Sequence, residues 1–152
     1  MRLEADLDQI RARAEEYYRK GEFYCSEAVV KTVVEELEID APAEAVKMAS
    51  GFPVGMGGMG CTCGALTGGI LTIGLVYGRT EGKDPSVDRA MALSAKLYQI
   101  FCQRHKVSCC KVLTKGMEKG SKEHMEQCIA FTGEMDYETA KIILEEERGA
   151  KQ

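Results

Sequence analysis

Seven cysteines in a chain of 152 residues carry most of the chemistry this sequence offers: Cys25, Cys61, Cys63, Cys102, Cys109, Cys110 and Cys128. A thiolate is a nucleophile and a ligand for soft metals, and a pair of thiols can store two electrons as a disulfide. Cys63 is the best placed of the seven. The stretch from Gly51 to Gly78, GFPVGMGGMGCTCGALTGGILTIGLVYG, opens as a glycine-rich loop and passes through Cys61-Thr62-Cys63. It then continues into an apolar run, Gly64 to Tyr77, that reads as a helix. The first turn of a helix exposes unpaired N–H groups and the positive end of the macrodipole, so a thiolate at Cys63 is expected to be favoured. Cys25 lies near the start of another helix, Cys110 in a short helical turn, and Cys128 on a helix toward the end of the chain.

Composition narrows the setting of these sulfurs. The 24 acidic and 20 basic residues give a formal charge of −4 and are spread along the whole chain, leaving no basic stripe for a nucleic acid backbone. The opening segment, MRLEADLDQIRARAEEYYRK, is charged throughout and lacks the apolar centre of a secretion signal, so a cytoplasmic protein is expected. The apolar run of about fifteen residues after Cys63 is shorter than the roughly twenty that a membrane span needs, and reads as a core helix. In a reducing compartment cysteine clusters more often bind metal or do redox work than form permanent disulfides, and an odd count fits no closed disulfide framework.

The elements that must position the sulfurs are helical. Leu3, Leu7, Ile10, Ala14 and Tyr17 form one seam over the first twenty residues, ending at Gly21. Phe23 to Glu27 opens a second helix with Val29, Val30, Val33, Val34 and Leu37 inward. A short helix over residues 42–50, with Pro42 in its first turn, feeds the glycine loop. After the polar turn at residues 79–85, Asp84-Pro85 signals a helix carrying Val87, Met91, Leu93, Leu97, Ile100, Phe101 and Cys102. A turn at Cys109–Leu113 follows, then a helix holding His124, Cys128 and Phe131 that Gly133 is expected to end. A last amphipathic helix, capped by Asp136, places Tyr137, Ala140, Ile143 and Leu144 inward. No alternating strand pattern bounded by hairpin turns occurs. The expectation is one all-α domain over residues 1–152, a compact bundle of about seven helices whose glycine-rich loop leads into a central glycine-rich helix.

Glycines inside that helix cost roughly 1 kcal/mol each relative to alanine, so close approach of something must offset them. Gly60, Gly64 and Gly68 fall four apart and would line a smooth groove for a second helix, a partner subunit or a small cofactor. A homodimer through this helix or the first one is the expected assembly. His105, near the end of a core helix, and His124, beside acidic residues on a solvated face, are not surrounded by a nucleophile and an orienting group, and neither is expected to be a catalytic base.

Cys63-Gly64-Ala65-Leu66-Thr67-Gly68, preceded by YCSEAV and followed by GLVYGR, CCKVL and EQC in order, resembles the CGAxxG pattern of the redox-active C_GCAxxG_C_C family over nearly the whole chain. The resemblance implies that Cys25, Cys63, Cys110 and Cys128 are the four family cysteines and that Cys61, Cys102 and Cys109 are additional. A similar block in split-Soret cytochromes implies an electron-transfer setting, although no CxxCH haem attachment occurs here.

Two chemistries suit the same four sulfurs. In the first, they exchange electrons as thiols and disulfides with a redox partner protein or a small electron carrier, Cys63 attacking and Cys25 or Cys110 resolving. The usual CxxC is missing, with Cys61-x-Cys63 and Cys109-Cys110 as weak substitutes. In the second, Cys25, Cys63, Cys110 and Cys128 are the metal ligands of a [2Fe–2S] cluster or a zinc ion; their spacing matches no compact metal motif, but separated helices can bring them together. A third reading, from another class, is a binding module without chemistry of its own, whose glycine groove accepts a ligand or partner helix.

Overall fold

A computed structural model describes residues Met1–Gln152 as six α-helices and one 3₁₀ helix with no strands. Helix α1 (Leu7–Arg19) starts where Asp6 caps it, the carboxylate accepting the N–H groups of Asp8 (2.9 Å) and Gln9 (3.2 Å). Its buried face is Ile10, Ala14 and Tyr18, a run of steps of four. Tyr18 therefore takes the inward position expected for Tyr17, whose hydroxyl instead meets Glu35 at 3.1 Å. Helix α2 (Cys25–Glu36) buries Ala28, Val29, Val30 and Val33, and Glu27 closes its first turn by accepting the Tyr24 N–H at 2.9 Å. Residues Ala43–Ala49 form the 3₁₀ helix, with Pro42 immediately before it.

Helix α3 (Gly64–Tyr77) is the centre of the bundle. Gly64 to Gly69, Thr72, Ile73 and Tyr77 are buried, and α2, α4 (Ser86–His105) and α6 (Lys122–Ala150) all pack on it. Its glycines are explained by those neighbours. A Cβ on Gly68 would stand 2.6 Å from the Ser26 carbonyl oxygen and 2.9 Å from the Ser26 Cα, so α2 crosses α3 with backbone against backbone. The stripe expected to hold a second subunit or a cofactor is filled by the chain itself, since burying the α2 face required the same smooth surface.

The C-terminal part differs from the expected two helices. Gly133 does not end a helix; it lies inside α6, which runs unbroken for 29 residues. A side chain on Gly133 would overlap the Glu15 side chain of α1, so this glycine is a crossing point of two helices. Asp136 is likewise no cap: it is fully buried in the middle of α6. Ser121 caps the helix instead, accepting the His124 N–H at 3.2 Å. Local sequence signals of helix ends were overridden here by the packing of α1 along α6. No helix is long and apolar enough to cross a membrane.

Candidate functional site

Cys25, Cys63, Cys110 and Cys128 line one cavity of about 30 Å³, together with Tyr18, Val54, Gly64, His124 and Phe131. Four separate elements deliver the sulfurs. Cys25 is the first residue of α2 and Cys63 is the N-cap of α3, so two helix N-termini point at the site. Cys110 opens the short helix α5 (Cys110–Leu113), and Cys128 stands in the second turn of α6.

The CGAxxG motif has a direct geometric meaning. A Cβ on Gly64 would overlap Cys25 Sγ, so the missing side chain is what lets the sulfur of α2 stand beside Cys63. Gly68, one turn further, admits the α2 backbone that carries Cys25. Cys110 is held by a short antiparallel pairing across the mouth of the site. Cys63 N–H donates to the Ser108 carbonyl (2.8 Å), Cys110 N–H to Cys61 (2.6 Å) and Lys111 N–H to Gly60 (2.9 Å), with Thr62 opposite Cys109. Gly60 has φ +74°, and a Cβ on it would press on the Lys111 side chain at 3.1 Å; its place is to admit this pairing. None of Gly60, Gly64 and Gly68 faces an open groove.

Burial dominates the electrostatics. It pushes the Cys63 thiol up to about 12, with further contributions from Cys25 and Cys128, while the N–H groups of Ala65 and Leu66 pull the other way. Cys25 is pushed up to about 12 by the same burial, against the Ser26 and Val54 N–H groups, with Cys128 and Cys110 adding to the rise. The expectation of a favoured Cys63 thiolate is thus overturned. The helix terminus does donate to the sulfur, but loss of water from a nearly enclosed thiol outweighs it. Cys110 and Cys128 are raised as well, chiefly by burial, with Lys119 opposing the shift at Cys110 and Tyr18 opposing it at Cys128. The four thiols are therefore protonated at neutral pH, and several sense one another's charge.

His124 belongs to the site, contrary to its expected position on a solvated face. It is 8% exposed, and its Nδ1 accepts the Gly120 N–H at 3.0 Å. That bond leaves the proton on Nε2, which points at Cys128 Sγ across 3.6 Å. The neutral imidazole donates toward the sulfur. His124 and Cys128 are four residues apart and share one face of α6, a spacing visible in the sequence, which already puts both on one helix. Tyr18 had no such signal, because either tyrosine of the pair at 17 and 18 could complete the α1 seam. His105 lies elsewhere, with Nε2 2.9 Å from Glu134 and its ring against Phe101 and Phe131.

The three remaining cysteines stand outside the cavity. Cys61 is exposed, Cys102 is half-buried on α4, and Cys109 Sγ donates to the Gly60 carbonyl at 3.2 Å. As the side chains stand, no three His, Cys, Asp or Glu groups are arranged to hold a single metal ion.

No curated protein and no solved structure matches the chain. The model of the family described as "Putative redox-active protein (C_GCAxxG_C_C)" matches residues 23–142, which takes in all four cavity cysteines, the glycine loop and His124, and the chain belongs to that family.

Proposed function

We propose that this redox-active protein works by dithiol/disulfide exchange among Cys25, Cys63, Cys110 and Cys128. The observation that carries the reading is their meeting at one cavity of about 30 Å³, walled by a histidine that donates toward one of them. In the reduced state the thiols are neutral, as their burial requires. Oxidation joins two sulfurs, releases two protons and passes two electrons to the disulfide of a partner, which leaves as two thiols. Cys128 is the entry point: His124 Nε2–H and Tyr18 offset part of the cost of its thiolate. Cys25 and Cys63 form the inner pair, since Gly64 places the Cys25 sulfur directly beside the start of α3.

The test is a thiol count on anaerobically purified protein before and after reduction, with peptide mapping of any disulfide and a parallel metal analysis. A metal-free protein that gains two or four thiols on reduction, from the four cavity positions, is the expected result. Iron near two per chain with visible charge-transfer bands would overturn it in favour of an electron-transfer cluster.

A further inference from the structure

A second, larger cavity adjoins the thiol site. This open cleft of about 620 Å³ is lined by Tyr18, Glu22, Phe23, Tyr24, Lys119 and His124, among others, and it shares Tyr18, Val54 and His124 with the cysteine cavity. His124, which donates toward Cys128, and Tyr18 therefore form part of the cleft wall. Its volume falls in the range of small-molecule sites, roughly 300–1,000 Å³. Its charges are specific. Glu27 is already engaged, accepting the Tyr24 N–H at 2.9 Å and the Ser50 hydroxyl at 2.8 Å. Glu22 and Lys119 are exposed and make no salt bridge or side-chain hydrogen bond, so the cleft presents one free carboxylate and one free ammonium. Lys119 also acts on the Cys110 thiol, which places the cation within electrostatic reach of the sulfurs.

We propose that this cleft binds a low-molecular-weight disulfide with amino-acid ends, Lys119 facing its carboxylate, Glu22 its ammonium, and Phe23 and Tyr24 its apolar stem. The inference rests on the dithiol reading and names its substrate class. The exchange balances without another reagent. The Cys128 thiolate, having released its proton to solvent, attacks one sulfur of the ligand; the ligand S–S bond breaks, and the departing thiolate takes up a proton. A second cavity thiol then attacks Cys128 Sγ, giving an intramolecular disulfide and releasing the other half of the ligand as a thiol. Two protein thiols are oxidised and one disulfide is reduced to two thiols.

The experiment uses the reduced full chain and three probes: cystine, which is zwitterionic at both ends, neutral hydroxyethyl disulfide, and dicationic cystamine. Second-order rates of protein thiol loss are followed, and mass spectrometry identifies the mixed disulfide. Cystine should react roughly tenfold faster than either other probe, as expected of two exposed charge pairs acting together. That ratio should collapse toward one in the Glu22→Gln/Lys119→Gln double variant and persist in Lys83→Gln, a surface change away from the cleft. Cys128→Ser should remove the cystine adduct on peptide 128. Equal rates for all three probes, with the cavity thiols still oxidised, would overturn the cleft assignment and leave dithiol exchange standing. Failure of every probe to oxidise the cavity thiols would overturn both.

Discussion

The sulfur of Cys25 occupies the space that a side chain on Gly64 would fill. One missing methyl group thus joins the start of α2 to the start of α3 and seats the Cys25 sulfur against the helix turn that Cys63 caps. The cost of glycine in a helix, roughly 1 kcal/mol, is offset by that close approach.

Gly64→Ala should lower stability by about 1–3 kcal/mol, the usual cost of forcing a methyl into a packed interior. Most of this loss should vanish in a Cys25→Ala background, where the clashing sulfur is gone, and a double-mutant cycle by chemical denaturation measures the coupling. Additive effects would mean that the two positions do not touch. Gly68→Ala should cost at least as much and show no such rescue, because its clash is with Ser26 backbone, 2.6 to 3.1 Å away.

Alkaline pH should destabilise the reduced protein. Cys25 and Cys63 are raised from the ordinary thiol value of 9.0 to about 12 by burial. Between those values the unfolded chain has released protons that the folded chain retains, so stability is intact below pH 9 and falls as pH climbs toward 12. The buried Cys63 alone contributes a slope of up to about 1.4 kcal/mol per pH unit in that window. Denaturation of the reduced protein at pH 8 and pH 10 checks this, and Cys63→Ser should flatten the slope. A wild-type curve with no decline would contradict the assigned burial of the thiol.

Asp136→Asn should stabilise the protein at neutral pH. Both carboxylate oxygens are buried without a hydrogen-bond partner, and the group faces the charge of Glu36. Burial first, and Glu36 second, push this carboxyl well above its usual range. Its contribution is present below that range and lost as pH rises. The amide removes the ionisable group while keeping the shape, so the gain should be small at pH 4 and reach roughly 1 kcal/mol or more at pH 8. Melting curves of both proteins across that interval decide it; a less stable variant at pH 8 would mean that the ionised carboxylate has a partner.

Alkylation should follow exposure. Iodoacetamide at neutral pH is expected to modify the exposed Cys61 before any cavity thiol, and Cys63, 8% exposed with its thiol protonated, last. Time-resolved peptide mapping gives the order. Early labelling of Cys63 would restore it as the reactive thiolate.

Much of this molecule could be read from its residues. Helical periodicity and the absence of alternating strands determined an all-α bundle, and the glycine-dense run after Cys63 marked the helix at its centre. Cys25 and Cys63 were recognisable by their places at helix starts, a property of neighbouring residues, while Cys110 and Cys128 were singled out by the family resemblance that the CGAxxG pattern opened. Properties that depend on distant residues came only with the tertiary structure. Gly133 stops no helix because α1 crosses there, and Gly64 and Gly68 face α2 and leave no groove for a guest. The thiol at Cys63 is held protonated because surrounding elements strip its water, an energy larger than the local pull of the helix terminus that the sequence advertises. His124 joined the site by the same rule: its four-residue spacing to Cys128 is written in the chain, but its burial and the Gly120 bond that aims its proton at the sulfur exist only once the bundle closes.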